Sequence, residues 1–201
     1  MHYNNLIKAV LLPLLVGLFA GIRSADAQVC ERFENLSSEE MARMLAGPDR
    51  TDGECVAFLL KRLGEARYKQ ASYTIATYLD FEWPKKKTGA APAVMRLPAL
   101  EDHYPAAGAL FAIGTAAVPD ITRFLSGGNV PPIAHENAVD TLLMIYRENQ
   151  VQAVRTLIKA SRTSPDPSEA VRLWGAAIDA SRRCSLLRSA CQAALLDAAD
   201  R

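Results

Sequence analysis

Three short stretches of this chain overlay without a gap: ASYTIATYL from Ala71, AVPDITRFL from Ala117 and AVRTLIKAS from Ala153. Each begins on alanine and carries an apolar residue at its fifth position, and the ninth is leucine twice and Ser161 in the third copy. Residues four apart lie on one face of an α-helix. Each stretch therefore reads as a short helix with one stripe turned inward. Ahead of each runs a longer apolar helix ending in a tight turn: LLKRLGEARYKQ, LFAIGTA and LLMIYRENQVQ. The starts are 46 and 36 residues apart, a spacing in the range of helix-pair repeats. One helix pair cannot bury both faces, whereas stacked pairs share a continuous core. The recurrence therefore predicts an all-α fold.

The remaining sequence agrees. SSEEMARML opens the fold, with Ser37 three residues before Glu40 in a capping box, and Gly47–Pro48 stops the helix. GECVAFLLKRLGEA places Val56, Leu59, Leu60 and Leu63 on one stripe. KQASYTIATYLDF turns Ala71, Ile75, Tyr78 and Leu79 inward. PAAGALFAIG starts with Pro105 in its first turn and ends at Gly114, and the next helix closes at Gly127. PPIAHENAVDTLLMIYREN follows, then QVQAVRTLIKAS with Asn149 as its cap, SEAVRLWGAAIDASRR and SLLRSACQAALLDAAD. Trp174, among Val171, Ala177 and Ile178, is expected in the core; Tyr68, Tyr73, Tyr78 and Tyr146 are expected mainly to pack. The interruption is an irregular loop at about 82–104, with three prolines, three successive lysines and Trp83. Loops of that length inside a domain are uncommon and are often functional or disordered.

The N-terminus carries Lys8, an apolar run from Ala9 to Ala20, and Ala25 and Ala27 in a small-x-small pattern. This predicts a secretory signal over 1–27, cleaved after Ala27, and one domain over 28–201. An uncleaved anchor is the alternative. Cleavage removes Lys8, Arg23 and Asp26 and leaves equal numbers of basic and acidic residues. A neutral chain without a one-signed block lacks the footprint of a nucleic-acid binder. It also gives no electrostatic reason to hold anionic lipid.

Export makes disulfides reasonable for Cys30, Cys55, Cys184 and Cys191. Four cysteines allow three pairings. Cys184 and Cys191 can pair only if the helix breaks between them, because seven helical residues rise about 10 Å. Ser185 offers a cap for such a break. Metal binding by the four is disfavoured: there is no C-x-x-C pair and no histidine beside either couple.

Catalytic signals are sparse. HENAV at 135–139 has Val139 where a zinc motif has its second ligand, so His135 reads as a surface residue. Glu101, Asp102 and His103 group two carboxylates and an imidazole, which could serve a metal or acid–base site but read first as a solvated run. No G-x-S-x-G, Walker or G-x-G-x-x-G loop is present. DRTDGE at 49–54 lacks calcium-loop spacing, and NLS at 35–37 is a glycosylation pattern that matters only in a eukaryotic host. Trp83 beside Lys85, Lys86 and Lys87 pairs an amphipathic ring with positive charge and is the best binding candidate.

AIGTAAVPDITRFL followed by HENAVDTLLMI resembles the HEAT repeat, in its short bacterial variant. The resemblance covers Ala106 to Ser161. Pro119 stands at the family's kinking proline, and Asn137 and Ala138 stand where the second helix begins its buried stripe. The copies at 55–80 and 168–199 are weaker: the first has Tyr73 at the proline position and a long insertion after it, and the last lacks the Ile-Gly turn. The resemblance implies a short α-solenoid of about four helix pairs, serving as a non-catalytic protein–protein scaffold or adaptor, periplasmic or secreted, without a cofactor or metal. The expected partner is another protein, with a small-molecule ligand left open. The alternative is a helical-repeat enzyme or accessory subunit with a site near the 82–104 loop.

Overall fold

The structure, a computed structural model, describes residue 30 and residues 33–47, 52–83, 100–185 and 187–200. The expected signal at 1–27 and Lys85, Lys86 and Lys87 lie outside these residues. The chain divides into two compact units, Met1–Asn35 and Leu36–Arg201. In the first, the described part is a turn at buried Phe33, whose N–H donates to the Cys30 carbonyl at 2.9 Å.

Among its described residues the second unit is all-helical, with no strand. Its helices are α1 (Ser38–Ala46), α2 (Gly53–Glu65), α3 (Ser72–Ala76), α4 (Leu100–His103), α5 (Pro105–Ile113), α6 (Val118–Ser126), α7 (Pro132–Ile145), α8 (Gln150–Thr163), α9 (Pro167–Arg183) and α10 (Arg188–Ala199). One-turn 3-10 segments lead into α3 and α6. Sequence chemistry sets the ends. Ser37 and Glu40 form the reciprocal capping box on α1. Gly114, at φ +74°, ends α5 in a backbone region that side chains resist. Asp166 caps α9 by accepting from the Ser168 N–H at 2.8 Å. Arg67 takes a left-handed φ of +49° after α2, and the Tyr68 N–H reaches back to the Leu63 carbonyl at 3.1 Å, the closure that glycine usually supplies.

The aligned stripes occupy matching positions. Ala71, Ile75 and Leu79, Ala117, Ile121 and Leu125, and Ala153, Leu157 and Ser161 are all buried. Between them α2 packs on α5, α5 on α7 and α7 on α9, while α3 packs on α6 and α8 on α10. Asn137 and Ala138 are buried, and Asn137 Nδ2 donates to the Leu79 carbonyl at 2.6 Å, tying α7 to the end of α3's segment. Besides α3, α6 lies against α9. There Arg172 Nε donates to the carbonyl of Ser126, the last residue of α6, at 2.6 Å.

All four cysteines are in disulfides. Cys184 and Cys191 bridge across the break between α9 and α10, with Cα atoms 6.6 Å apart. The chain turns there, so the rise of a continuous helix no longer separates them. Ser185 is not the cap of α10; its N–H donates instead to Gln150 Oε1 at 3.0 Å.

Several local expectations are corrected. Val171 is 72% exposed and Trp174 only half-buried, because the inward face of α9 is Leu173, Ala176, Ala177 and Ala180. Tyr73 is exposed, with the Arg123 guanidinium 3.9 Å over its ring. Tyr78 is half-buried, spending its hydroxyl on the Leu45 carbonyl at 2.7 Å. Asn149 precedes α8 without a side-chain capping bond. Gly127 does close α6 as expected, in extended backbone. The loop expected to run irregularly to Tyr104 carries helix α4 near its end.

Candidate functional site

The crossing of α2 with α5 brings small residues together. A Cβ on Gly64 would lie 2.7 Å from the Ala109 Cα, so the backbones touch there. Side chains this small leave a trough beside the crossing, a groove of about 540 Å³. Ala57, Phe58 and Gly64 of α2 and Pro105, Gly108, Ala109 and Ala112 of α5 form its apolar part. Glu54, Lys61 and Glu65 from α2, and Glu101 and Asp102 from α4, supply its charge. Trp83 completes the lining. Among the described residues the lining has four carboxylates and one lysine, and Lys61 pairs with Glu65.

Trp83 is placed by three contacts. Its ring is stacked on Phe81, with centroids 6.3 Å apart and an 11° interplanar angle. Its edge covers Gly53, where a Cβ would meet the ring at 3.0 Å. Its backbone N–H donates to the His103 carbonyl at 2.7 Å. Trp83 and Phe58 are both partly exposed. Glu65 pairs with Arg62 at 3.4 Å and with Lys61 at 3.8 Å. His103 lies 3.8 Å from Glu82 Oε1 and is not part of the lining. No group of three His, Cys, Asp or Glu side chains able to hold a metal occurs among the described residues.

The structure therefore joins Trp83 with Glu101 and Asp102, which the sequence offered as separate candidates. Phe58, Glu65, Gly108 and Ala112 were missed. Their signal was present: Glu54, Ala57, Phe58, Lys61 and Glu65 recur at helical spacing beside the buried stripe of α2. That face reads as solvated until α5 is known to cross it.

His135 lies elsewhere, between α7 and α9, with Nδ1 4.0 Å from Asp179. Next to it Arg183 binds Glu136 at 3.1 Å and Asp140 at 3.1 Å. Burial raises the Asp140 carboxyl above its ordinary range against the pull of Arg183. Burial also works against the Arg183 charge, but the Asp140 and Glu136 carboxylates outweigh it and raise its pKa. This is an ion cluster clasping two helices.

No protein-family model, curated protein or solved structure matches the chain.

Proposed function

We propose that the protein is a non-catalytic binding scaffold for another protein, built as a short HEAT-like solenoid and acting in the periplasm or outside the cell. In this reading the helix pairs are α2 with α3, α5 with α6, α7 with α8 and α9 with α10. The observation that carries it is the threefold match of buried positions at 71/75/79, 117/121/125 and 153/157/161. One packing solution used repeatedly leaves the opposite helix faces outward, as an extended surface for contact. The groove adds a concave apolar site with a partly exposed tryptophan, the kind of anchor interfaces favour. The all-disulfide state of the cysteines fits an oxidising compartment, and the signal pattern at 1–27 supports export.

The test is photo-cross-linking in the producing cell, from probes at Ala112 in the groove, Thr122 on α6 and Lys159 on α8. One protein captured repeatedly from adjacent sites, and lost from the others, supports the scaffold. Capture of the same abundant proteins from all three sites would count against it. The second reading, an enzyme or accessory subunit, draws on Glu101 and Asp102 lining one groove with Glu54 and Glu65. Metal retained by purified protein, and released by replacing Glu101 and Asp102 with amides, would favour it.

A further inference from the structure

The groove between α2 and α5 combines two features that suit different ends of one kind of side chain. Its floor is apolar and narrow, because Gly64 and Ala109 meet at backbone distance. Its lining also carries exposed Glu65 from α2 and Glu101 from α4, Glu65 pairing with Arg62 and Lys61. Arginine and lysine carry an apolar stem and a charged head, and lay the stem along apolar surface while the head seeks polar partners. The partly exposed rings of Trp83 and Phe58 supply π faces, which attract a cation within about 6 Å. The Trp83 ring already lies against Phe81 and Gly53, and its backbone N–H is held by the His103 carbonyl, so ordering it costs the complex little. An acidic side chain entering the groove would meet repulsion from the same carboxylates. A groove of about 540 Å³ accommodates one or two side chains, not a folded face.

We propose that this groove receives an arginine or lysine side chain, next to an apolar residue, on an extended segment of the partner protein. The proposal rests on the scaffold reading and names the chemistry of its partner. It needs no covalent step.

Two synthetic peptides test it on the intact protein with its disulfides formed: acetyl-Ser-Arg-Leu-Arg-Gly-Ser-amide, and the same peptide with glutamine for both arginines. The chain has two tryptophans, so the indole N–H resonance of Trp83 reports the groove and that of Trp174 is the internal control. The arginine peptide is expected to shift Trp83 and leave Trp174 in place, saturating in the millimolar range. Glu65→Gln with Glu101→Gln is expected to weaken this at least fivefold, the unmoved Trp174 resonance showing that the variant is folded. Equal shifts from the glutamine peptide, or no effect of the double substitution, would overturn the proposal. Equal affinity for N-acetyl-arginine amide would assign the groove to a free small cation instead. Binding seen only after Lys85, Lys86 and Lys87 are changed to serine would assign it to this chain's own basic stretch, and overturns the proposal equally. If the peptides fail while cross-linking at Thr122 or Lys159 still captures one partner, only the groove assignment falls.

Discussion

Gly64 and Gly175 both sit inside helices, where alanine is ordinarily better by about 1 kcal/mol. Their surroundings give them opposite signs. A Cβ at Gly175 meets nothing within 4 Å, while one at Gly64 meets the α5 backbone at 2.7 Å. Gly175→Ala should stabilise by roughly 0.5–1 kcal/mol, and Gly64→Ala should destabilise by about 1–3 kcal/mol through overpacking, both read by urea denaturation. Ser72 poses a different problem, since its hydroxyl is buried without a hydrogen-bond partner. Val118 and Val154 occupy the same register in the other copies, so the site is built for an apolar group. Ser72→Ala should raise stability by about 1 kcal/mol, and a loss would show that the hydroxyl is satisfied by water. Asp140 gives a pH signature. Its folded pKa is raised by burial, so the stability tied to its proton is present below the ordinary value of 3.8 and lost as pH rises through the raised value. Asp140→Asn keeps the neutral form, and Glu136 still partners Arg183. Its stability relative to the parent should therefore improve from acid toward neutral pH. The opposite trend would mean that the ion pair outweighs burial. These glycine and serine effects were not legible in the sequence, because each depends on what another helix places opposite it.

Among the elements, α10 is held unlike the rest. Cys191 is its one buried residue among those described, and Leu196 is 66% exposed. Arg162 also reaches it, its guanidinium donating to the Ala198 carbonyl near its end. Reducing the Cys184–Cys191 bridge with a dithiol should release α10 while the other helices stay folded. Amide exchange should rise across 188–199 and stay slow in α5 and α7, and uniform protection after reduction would refute this. Element positions were largely legible, because capping at Ser37, the proline at 105 and the stripe of α2 are all local. Faces were less so. Val171, Trp174 and Ile178 look like a core stripe by spacing, yet α9 turns a row of alanines inward where it meets several helices at once. The stretch Pro105–Ser126 shows the same limit from the other side. It is long and apolar enough to cross a membrane by composition. Gly114 divides it, and Leu110, Ile121 and Leu125 are spent on neighbouring helices.

For the Leu36–Arg201 unit as a whole, the matching buried stripes were legible and the contact of α6 with α9 was not. The three aligned stripes are in the sequence, but nothing local marks α6 as the neighbour of α9, since the Arg172–Ser126 bond joins residues 46 apart. In an array with only adjacent contacts, stability is close to a sum over neighbours and ends can unfold first. A contact that skips a pair couples the middle to the end. Helices α2 to α9 should therefore unfold in urea as one transition, with fluorescence of Trp83 and Trp174 changing together. Two separated transitions would mean that α9 adds no such coupling. The α6–α9 contact also bears on how such a chain can change length. A duplicated helix pair inserted between α8 and α9 would carry α9 away from α6 and strand the Ser126 carbonyl that Arg172 now serves. Under the repeat reading proposed above, that contact penalises growth by duplication at this position.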